Sequence, residues 1–344
     1  MTYAALPTLR TPRLNLRPLT PDDADAIVDG VGNYDVSRWL GVVPYPYARA
    51  DAEAFIARQI EAGGPVWAIC DASGLVGTAG LVNELGYWLA RPAWRKGYGF
   101  EAAHAAVRWW FDDSENTDLT SGYFDGNYRS QAVLKALGFE ENGFETRHAR
   151  SLNQDVTCHL MSLSRPAWEA QQVIDIRTKR LRLRPMVEDD APFLTDLARP
   201  EVTRMLFRLK THLDLEEARI FARERAWCGV PGYALTLERK GRPIGYIATG
   251  SVGSVELYYA LHPDHWGLGL ISEAAVAFLN DVFQRFPIGH IRADRFVDNP
   301  ASGRVLEKLG FEQTGQEMGT SAGRLEPAPV ITYALTRDNL RERP

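Results

Sequence analysis

The sequence predicts an α+β protein of two tandem domains, each a mixed, mostly antiparallel sheet flanked by helices. Two observations predict it. First, Glu84-Leu85-Gly86-Tyr87-Trp88-Leu89 and Trp94-Arg95-Lys96-Gly97-Tyr98-Gly99-Phe100-Glu101-Ala102 return as Glu256-Leu257-Tyr258-Tyr259-Ala260-Leu261 and Trp266-Gly267-Leu268-Gly269-Leu270-Ile271-Ser272-Glu273-Ala274. Asn127-Tyr128-Arg129-Ser130 and Leu137-Gly138-Phe139 return as Asn299-Pro300-Ala301-Ser302 and Leu309-Gly310-Phe311, and every pair is 172 residues apart (84 to 256, 97 to 269, 127 to 299). That period far exceeds the roughly 20–50 residues of solenoid repeats, so each copy must own a core. Second, within each copy strand-like alternation and helix-like periodicity are mixed rather than strictly alternating.

The elements follow in order. Leu14-Asn15-Leu16-Arg17 and Leu181-Arg182-Leu183-Arg184 alternate as short half-buried strands, here at offset 167, which implies a five-residue insertion in the second copy between Asp190 and Glu256. Thr20-Pro21-Asp22-Asp23 and Val187-Glu188-Asp189-Asp190 carry the acids of helix starts. Helices are expected over 50–62 and 215–227, then strands over 66–70, 74–81 and 84–89, with counterparts over 233–238, 243–249 and 254–261. Asp71-Ala72-Ser73-Gly74 and Arg239-Lys240-Gly241-Arg242 supply the turns. A glycine-bearing loop opens a long helix in each copy (99–111; 271–285). A strand (119–124; 290–297), a helix (130–137; 302–309) and a last strand (156–163; 330–335) close it. The domains are expected at 1–165 and 174–344, joined by a linker over 166–173 whose Trp168 docks onto a domain.

A chain of 344 residues accommodates about two domains, and 45% hydrophobic with 24% charged residues is ordinary globular composition. The net charge of -5 argues against a nucleic-acid partner, which would need a basic face. Cys70, Cys158 and Cys228 make no C-x-x-C spacing and the seven histidines no ligand pattern, so no metal is expected; His104 reads as a packed or surface residue rather than a base. The N-terminal stretch has no apolar core behind basic residues, and no run approaches about 18 apolar residues, so a cytoplasmic chain without membrane contact is expected.

The chemistry centres on the loop that enters the long helix. A glycine turn running into a helix N-terminus aims several N–H groups and a positive dipole end at one point, a ready pyrophosphate site. Gly97-x-Gly99-x-x-Ala102 also matches the dinucleotide pattern G-x-G-x-x-A. The second copy argues against that reading, because its Gly267 and Gly269 align with Arg95 and Gly97, so only the middle glycine is shared.

On these residues each copy resembles the GNAT N-acetyltransferase superfamily, whose pyrophosphate loop reads [QR]-x-x-G-x-[GA], and within it the RimJ/RimL-type branch that acetylates ribosomal-protein N-termini. The similarity covers nearly all of each half: Arg-Leu-x-Leu-Arg-Pro, Glu-Leu-x-Tyr, and Asn-x-x-Ser with Val-Leu-x-x-Leu-Gly-Phe. Trp94 and Trp266 stand where the pattern has Gln or Arg, and Ile271 where a small residue is usual. The resemblance implies acetyl-CoA as cofactor, held by Leu89, Trp94, Arg95, Lys96, Gly97, Tyr98, Gly99 and Asn127 in the first copy. Leu261, Trp266, Gly267, Leu268, Gly269, Leu270, Ile271 and Asn299 would hold it in the second, the pantetheine arm lying in the splay between two strands. It further implies that Glu84 and Glu256 take a proton from the amine and that Ser130 and Ser302 protonate the departing thiolate. Read alone, Asn and Ser at those places are helix caps and the glutamates solvated strand residues.

The expected activity is acetyl transfer to a primary amine, with a protein N-terminal α-amine as one acceptor. A small-molecule amine (polyamine, metabolite or antibiotic) is the enzymatic alternative, and an acetyl-CoA-sensing or structural role for one or both halves the other. A homodimer stands as one option for assembly.

Overall fold

The computed structural model describes residues 6–251 and 254–341. The chain divides into two compact units, 1–171 and 172–344. In the first, strands β1 (Leu9–Arg10), β2 (Asn15–Pro18), β3 (Val66–Asp71), β4 (Gly74–Leu81), β5 (Leu85–Leu89), β6 (Asp118–Phe124), β7 (Glu140–Ala149) and β8 (Gln154–Ser164) form one sheet of order β1-β2-β3-β4-β5-β6-β8-β7. In the second, β9 (Ile176–Arg177), β10 (Arg182–Pro185), β11 (Ala234–Arg239), β12 (Arg242–Thr249), β13 (Glu256–Leu261), β14 (His290–Phe296), β15 (Glu312–Gly319) and β16 (Ala328–Thr336) repeat that order. Neighbours are antiparallel except β5 with β6 and β13 with β14.

Those parallel pairs position the site. β5 and β6 register at Leu85–Ser121 and β13 and β14 at Glu256–Arg292 and Leu257–Ala293, after which the strands part. The backbone of β5 beyond Leu85 and of β13 beyond Leu257 therefore faces a wedge-shaped opening on one edge, while the other edge stays paired with β4 or β12.

Helices cover both faces of each sheet. The long helix Tyr98–Asp112 buries Phe100, Ala103, Val107 and Phe111, spaced three and four apart, against β4 and β5. On the other face Ile27, Val31, Ala52 and Ile56, from helices Ala24–Val31 and Arg49–Ala62, close a core with Val66 and Ala68 of β3. The repeated Arg-Pro and Asp-Asp motifs meet at the start of this layer. Arg17 grips Asp23 through bonds of 2.8 and 2.6 Å, and Arg184 grips Asp190 through 2.9 and 2.6 Å. Both aspartates are buried, and each also accepts the N–H of the residue three before it.

The expected insertion resolves into two places. Offset rises from 167 at Asp23/Asp190 to 168 in the strands that pair with β2 and β10 (Trp67/Leu235), and to 172 only after the next hairpin (Leu85/Leu257). Four of the five residues thus lengthen the turn that delivers Glu256. Strands β7 and β15, short edge strands β1 and β9, and a helix over Arg165–Gln172 are additions to the sequence expectation. In that helix Trp168 is buried, its ring 5.0 Å from His104 and 6.0 Å from Phe111.

Candidate active site

The loop after each splayed strand has one geometry in both halves. Trp94 donates its indole N–H to Leu89 O at 2.8 Å, and Trp266 donates to Leu261 O at 2.7 Å, folding the chain back on the strand end. Two left-handed residues follow, Arg95 (φ 63°) and Gly97 (φ 76°) in one, Gly267 (φ 73°) and Gly269 (φ 69°) in the other. The pattern is thus shared in conformation where it is not shared in sequence, since Arg95 adopts what Gly267 adopts freely. Left-handed residues alternating with ordinary ones turn successive N–H groups toward one point, an anion-binding concavity. The long helix starts immediately after it, with Glu101 N–H donating to Gly97 O and Glu273 N–H to Gly269 O as the first bonds into it.

An ion pair holds that concavity from behind. Glu101, fully buried, accepts from Thr11 Oγ1 (2.5 Å), Arg13 N (2.9 Å) and Arg13 Nε (2.8 Å), and the Arg13 guanidinium then reaches forward to Lys96 O at 2.6 Å. Thr178, Arg180, Glu273 and Leu268 O repeat the arrangement at 2.5, 2.8, 2.6 and 2.8 Å. Because a trans peptide sets C=O and N–H on opposite sides, anchoring Lys96 O to the rear turns the Gly97 N–H forward, and anchoring Leu268 O does the same for Gly269. Tyr98 lies under the Arg13 guanidinium (4.6 Å), and Leu270 is buried at the helix start with Ile271 half-buried beside it. Cations differ between the halves: Arg91 and Arg129 lie over the Trp94 ring at 4.5 and 3.8 Å, whereas Pro263 and Ala301 stand at those places in the second.

Behind the loop, Ser130 Oγ lies 3.2 Å from Tyr87 OH and Ser302 Oγ 2.9 Å from Tyr259 OH. Burial pushes both phenols up, that of Tyr259 to about 12, with the serine hydrogen bond pulling the other way. Asn127 and Asn299 cap the following helix, their Oδ1 accepting from Ser130 N (3.4 Å) and Ser302 N (3.1 Å). Capping takes the amide oxygen, so contact with a pantetheine arm would fall to Nδ2.

The glutamates stand on the other side of the sheet. Along β13 three residues reverse the face, so Glu256 and Tyr259 point oppositely, while Glu84 lies in the bend just before β5, its carboxylate held by Arg147 of β7. Only at the splay can groups from both faces reach one ligand. Glu84 is bonded through both oxygens to Arg147 (2.7 and 3.0 Å), which raises the guanidinium further above its usual range. Glu256 accepts instead from Ser254 Oγ at 3.0 Å, with Arg208 at 3.9 Å.

Forward-facing amides, a helix N-terminus, and an opening beside an unpaired strand edge match the diphosphate and amide-bearing arm of coenzyme A. The fold and site therefore define a coenzyme A-dependent acyltransferase. A family model described as acetyltransferase (GNAT) domain matches residues 13–140 and again 180–312, and the chain belongs to that family. The chain is 29% identical over 150 residues to the uncharacterized N-acetyltransferase YoaA of Bacillus subtilis (strain 168), covering 40% of this chain and 85% of that protein. It is 26% identical to the uncharacterized N-acetyltransferase p20 of Bacillus licheniformis, covering 43% and 89%. Among solved structures, RimL, a ribosomal L7/L12 α-N-protein acetyltransferase in complex with coenzyme A, shares 20% identity at TM-score 0.44, over 48% of this chain and 99% of that one. Acetyl-CoA is the cofactor, and when bound it supplies an acetyl thioester. No helix among the described residues is long and apolar enough to cross a membrane, and no His/Cys/Asp/Glu group there could hold a metal.

Tyr87 and Tyr259, Arg13 and Arg180, Glu101 and Glu273 are site residues that the sequence reading gave no role. Their signal was present, since all three pairs repeat. Arg147 had none, because nothing like it recurs at its counterpart.

Proposed function

We propose that the chain transfers the acetyl group to a primary amine by direct attack in a ternary complex, with a protein N-terminal α-amine as the first acceptor class to test. The observation that carries this reading is the Glu256 carboxylate on one sheet face of the second splay opposite the Tyr259–Ser302 hydroxyl pair on the other, with Glu84 and the Tyr87–Ser130 pair at the corresponding places of the first. In this reading Glu84 or Glu256 lies on the side from which the amine enters, and the loop amides of Arg95 to Gly99 and of Gly267 to Ile271 hold the diphosphate. Ser130 or Ser302, backed by its tyrosine, delivers a proton to the departing sulfur. Free coenzyme A thiol has a pKa near the ordinary value of about 8.5, so this last push is small. Neutralising an α-amine of pKa about 7.7–8.0 at pH 7 costs roughly 1 kcal/mol, against roughly 4.6 kcal/mol for a lysine at about 10.4. A carboxylate is adequate for the first task and poor for the second.

The test is acetyl-CoA turnover by the full chain against peptides with free or blocked N-termini, polyamines and aminoglycosides. Turnover of free-N-terminal peptides alone supports the α-amine; turnover of only a small amine replaces it. In this reading 1–165 and 174–344 are the two acetyltransferase domains joined by the linker over 166–173, the enzyme is cytoplasmic, and a homodimer is the assembly for sedimentation to test.

A further inference from the structure

The halves, so alike around the loop, part company at two positions that face the glutamate. Arg147 on β7 corresponds to Gly319 on β15, and Gly122 on β6 to Asp294 on β14, both at offset 172 and at matching places in the strand pairing. In the N-terminal domain Arg147 holds both oxygens of Glu84 and also bonds Glu145 at 2.6 Å. A Cβ on Gly122 would lie 2.9 Å from Cys158 Sγ and 3.9 Å from the guanidinium, so a side chain there is excluded. In the C-terminal domain Gly319 takes the place of that arginine, and among the described residues no arginine hydrogen-bonds Glu256, Arg208 standing 3.9 Å away. A Cβ on Gly319 would meet Val330 at 2.6 Å and Phe207 at 2.9 Å. Asp294 stands here instead. Glu256 registers with Arg292 across the parallel pair, and alternation puts Arg292 and Asp294 on the same face, so the two carboxylates share the face from which an amine would come. Asp294 is half-buried, and its Oδ1 is screened from solvent without a hydrogen-bond partner among the described residues.

We propose that Asp294, with Glu256 beside it, is the proton acceptor for the incoming amine in the C-terminal domain, and that Arg147 has withdrawn Glu84 from this task in the N-terminal domain. This rests on the amine reading above. The step is a single proton transfer: an N–H bond of the alkylammonium breaks, an O–H bond forms at the Asp294 carboxylate, and the electron pair stays on nitrogen as the nucleophile. The groups facing Asp294 are Arg292 on its own strand, Glu256 on β13, Glu317 on β15 and Thr332 opposite on β16. Burial first, then Glu256, with Arg292 opposing and Glu317 adding, brings the carboxyl up to about 6. That is a far better match to an amine at neutral pH than an ordinary aspartate.

Two measurements on the full chain test this. Amine acetylation is followed for wild type, Asp294→Asn, Glu256→Gln and Glu84→Gln. The ligand-free protein, carrying 13C-carboxyl aspartate, is titrated by NMR. Asp294→Asn should lower kcat/KM for the amine by about 100-fold or more with KM for acetyl-CoA nearly unchanged, and by far more than Glu84→Gln does. The carboxyl resonance missing from Asp294→Asn should titrate near 6 and move to lower pH in Glu256→Gln. Asp294→Asn within about threefold of wild type, Glu84→Gln as damaging as Asp294→Asn, or a resonance titrating near 4 would each overturn the inference. Should Asp294→Asn not fold, wild type and Asp294→Glu decide: an acidic limb in kcat/KM near 6 in both supports it, and no limb between about pH 5 and 7 overturns it. A wild type that acetylates no amine overturns the amine reading, and this one with it. A wild type that does so but tolerates Asp294→Asn overturns only the role of Asp294.

Discussion

Replacing Arg13 by alanine separates the two jobs assigned to its ion pair. Glu101 is fully buried and the Arg13 side chain only 20% exposed, so deleting the arginine strands a carboxylate out of water. Breaking such a pair costs about 3–5 kcal/mol. Thr11 Oγ1 and the residue-13 backbone N–H still donate, which points to the lower end, about 3 kcal/mol, or roughly 6–12 °C in Tm for a domain of this size. The corresponding arginine, Arg180, is 38% exposed against a 19% exposed Glu273, so water screens the loss and about half the effect is expected from Arg180→Ala. Calorimetry of the full chain measures the first job and titration with coenzyme A the second, since without Arg13 nothing holds Lys96 O to the rear. The double variant Arg13→Met/Glu101→Leu should recover part of that stability, because an apolar pair of similar volume removes the stranded charge while leaving the residue-13 N–H without its acceptor. It should not restore coenzyme A affinity. An unchanged Tm for Arg13→Ala would refute the burial argument. Wild-type coenzyme A affinity in the double variant would refute the claim that the arginine aims the loop amides.

Other consequences concern titration, backbone and charge. Burial, then Arg108, pushes the His104 imidazole down to about 3, so the folded state refuses a proton that the unfolded chain accepts below about 6.5. Its contribution is full above that pH and falls by about 1.4 kcal/mol per unit as pH drops toward 3, so Tm of His104→Gln should decline less than wild type between pH 6.5 and 4, and parallel declines would contradict this. Gly267→Ala forces a side chain into the left-handed region and should cost about 1 kcal/mol, or 2–4 °C, while Gly289→Ala, in open space without positive φ, should not destabilise; equal melting of the two would count against the loop geometry. Coenzyme A binding at the N-terminal loop, with Arg91, Arg95, Lys96 and Arg129, should weaken about tenfold between low salt and 1 M KCl, and that at the C-terminal loop much less. Calorimetric titration of wild type and Arg129→Ala checks this, and one shared salt slope would dismiss the asymmetry.

What could be read from the sequence followed what repeats. The splayed strands, the loop, the long helix and the Asn-x-x-Ser helix were legible because alternation and turn residues coincide in both copies. Strands β7 and β15 were not, since Glu140-Glu141-Asn142-Gly143-Phe144-Glu145 is exposed along nearly its whole length at a sheet edge and shows no buried alternation. The sequence placed a linker over 166–173, while the helix Arg165–Gln172 occupies that stretch, Trp168 supplying one deeply buried anchor. The site was half legible for a related reason. Sameness between copies identifies the cradle and the hydroxyls, yet it passes over Arg147 and Asp294, whose meaning lies in their difference.

That difference is a matched exchange, and sterics explain why it must be. An aspartate at 122 would be driven into Cys158 Sγ and His159 O, next to a guanidinium already engaged by Glu84. An arginine at 319 would have to displace Val330 and Phe207, and Phe207 is stacked on Phe296 at 4.6 Å. Neither half can therefore take the other's residue singly. Building the second centre in the first half requires at least Gly122→Asp with Arg147→Gly and Cys158→Val, the residues at 294, 319 and 330 of the second half, and the triple variant should gain an NMR-visible aspartate titrating above the ordinary range. If it gains none, burial beside a glutamate on that sheet face is not what makes Asp294 a base.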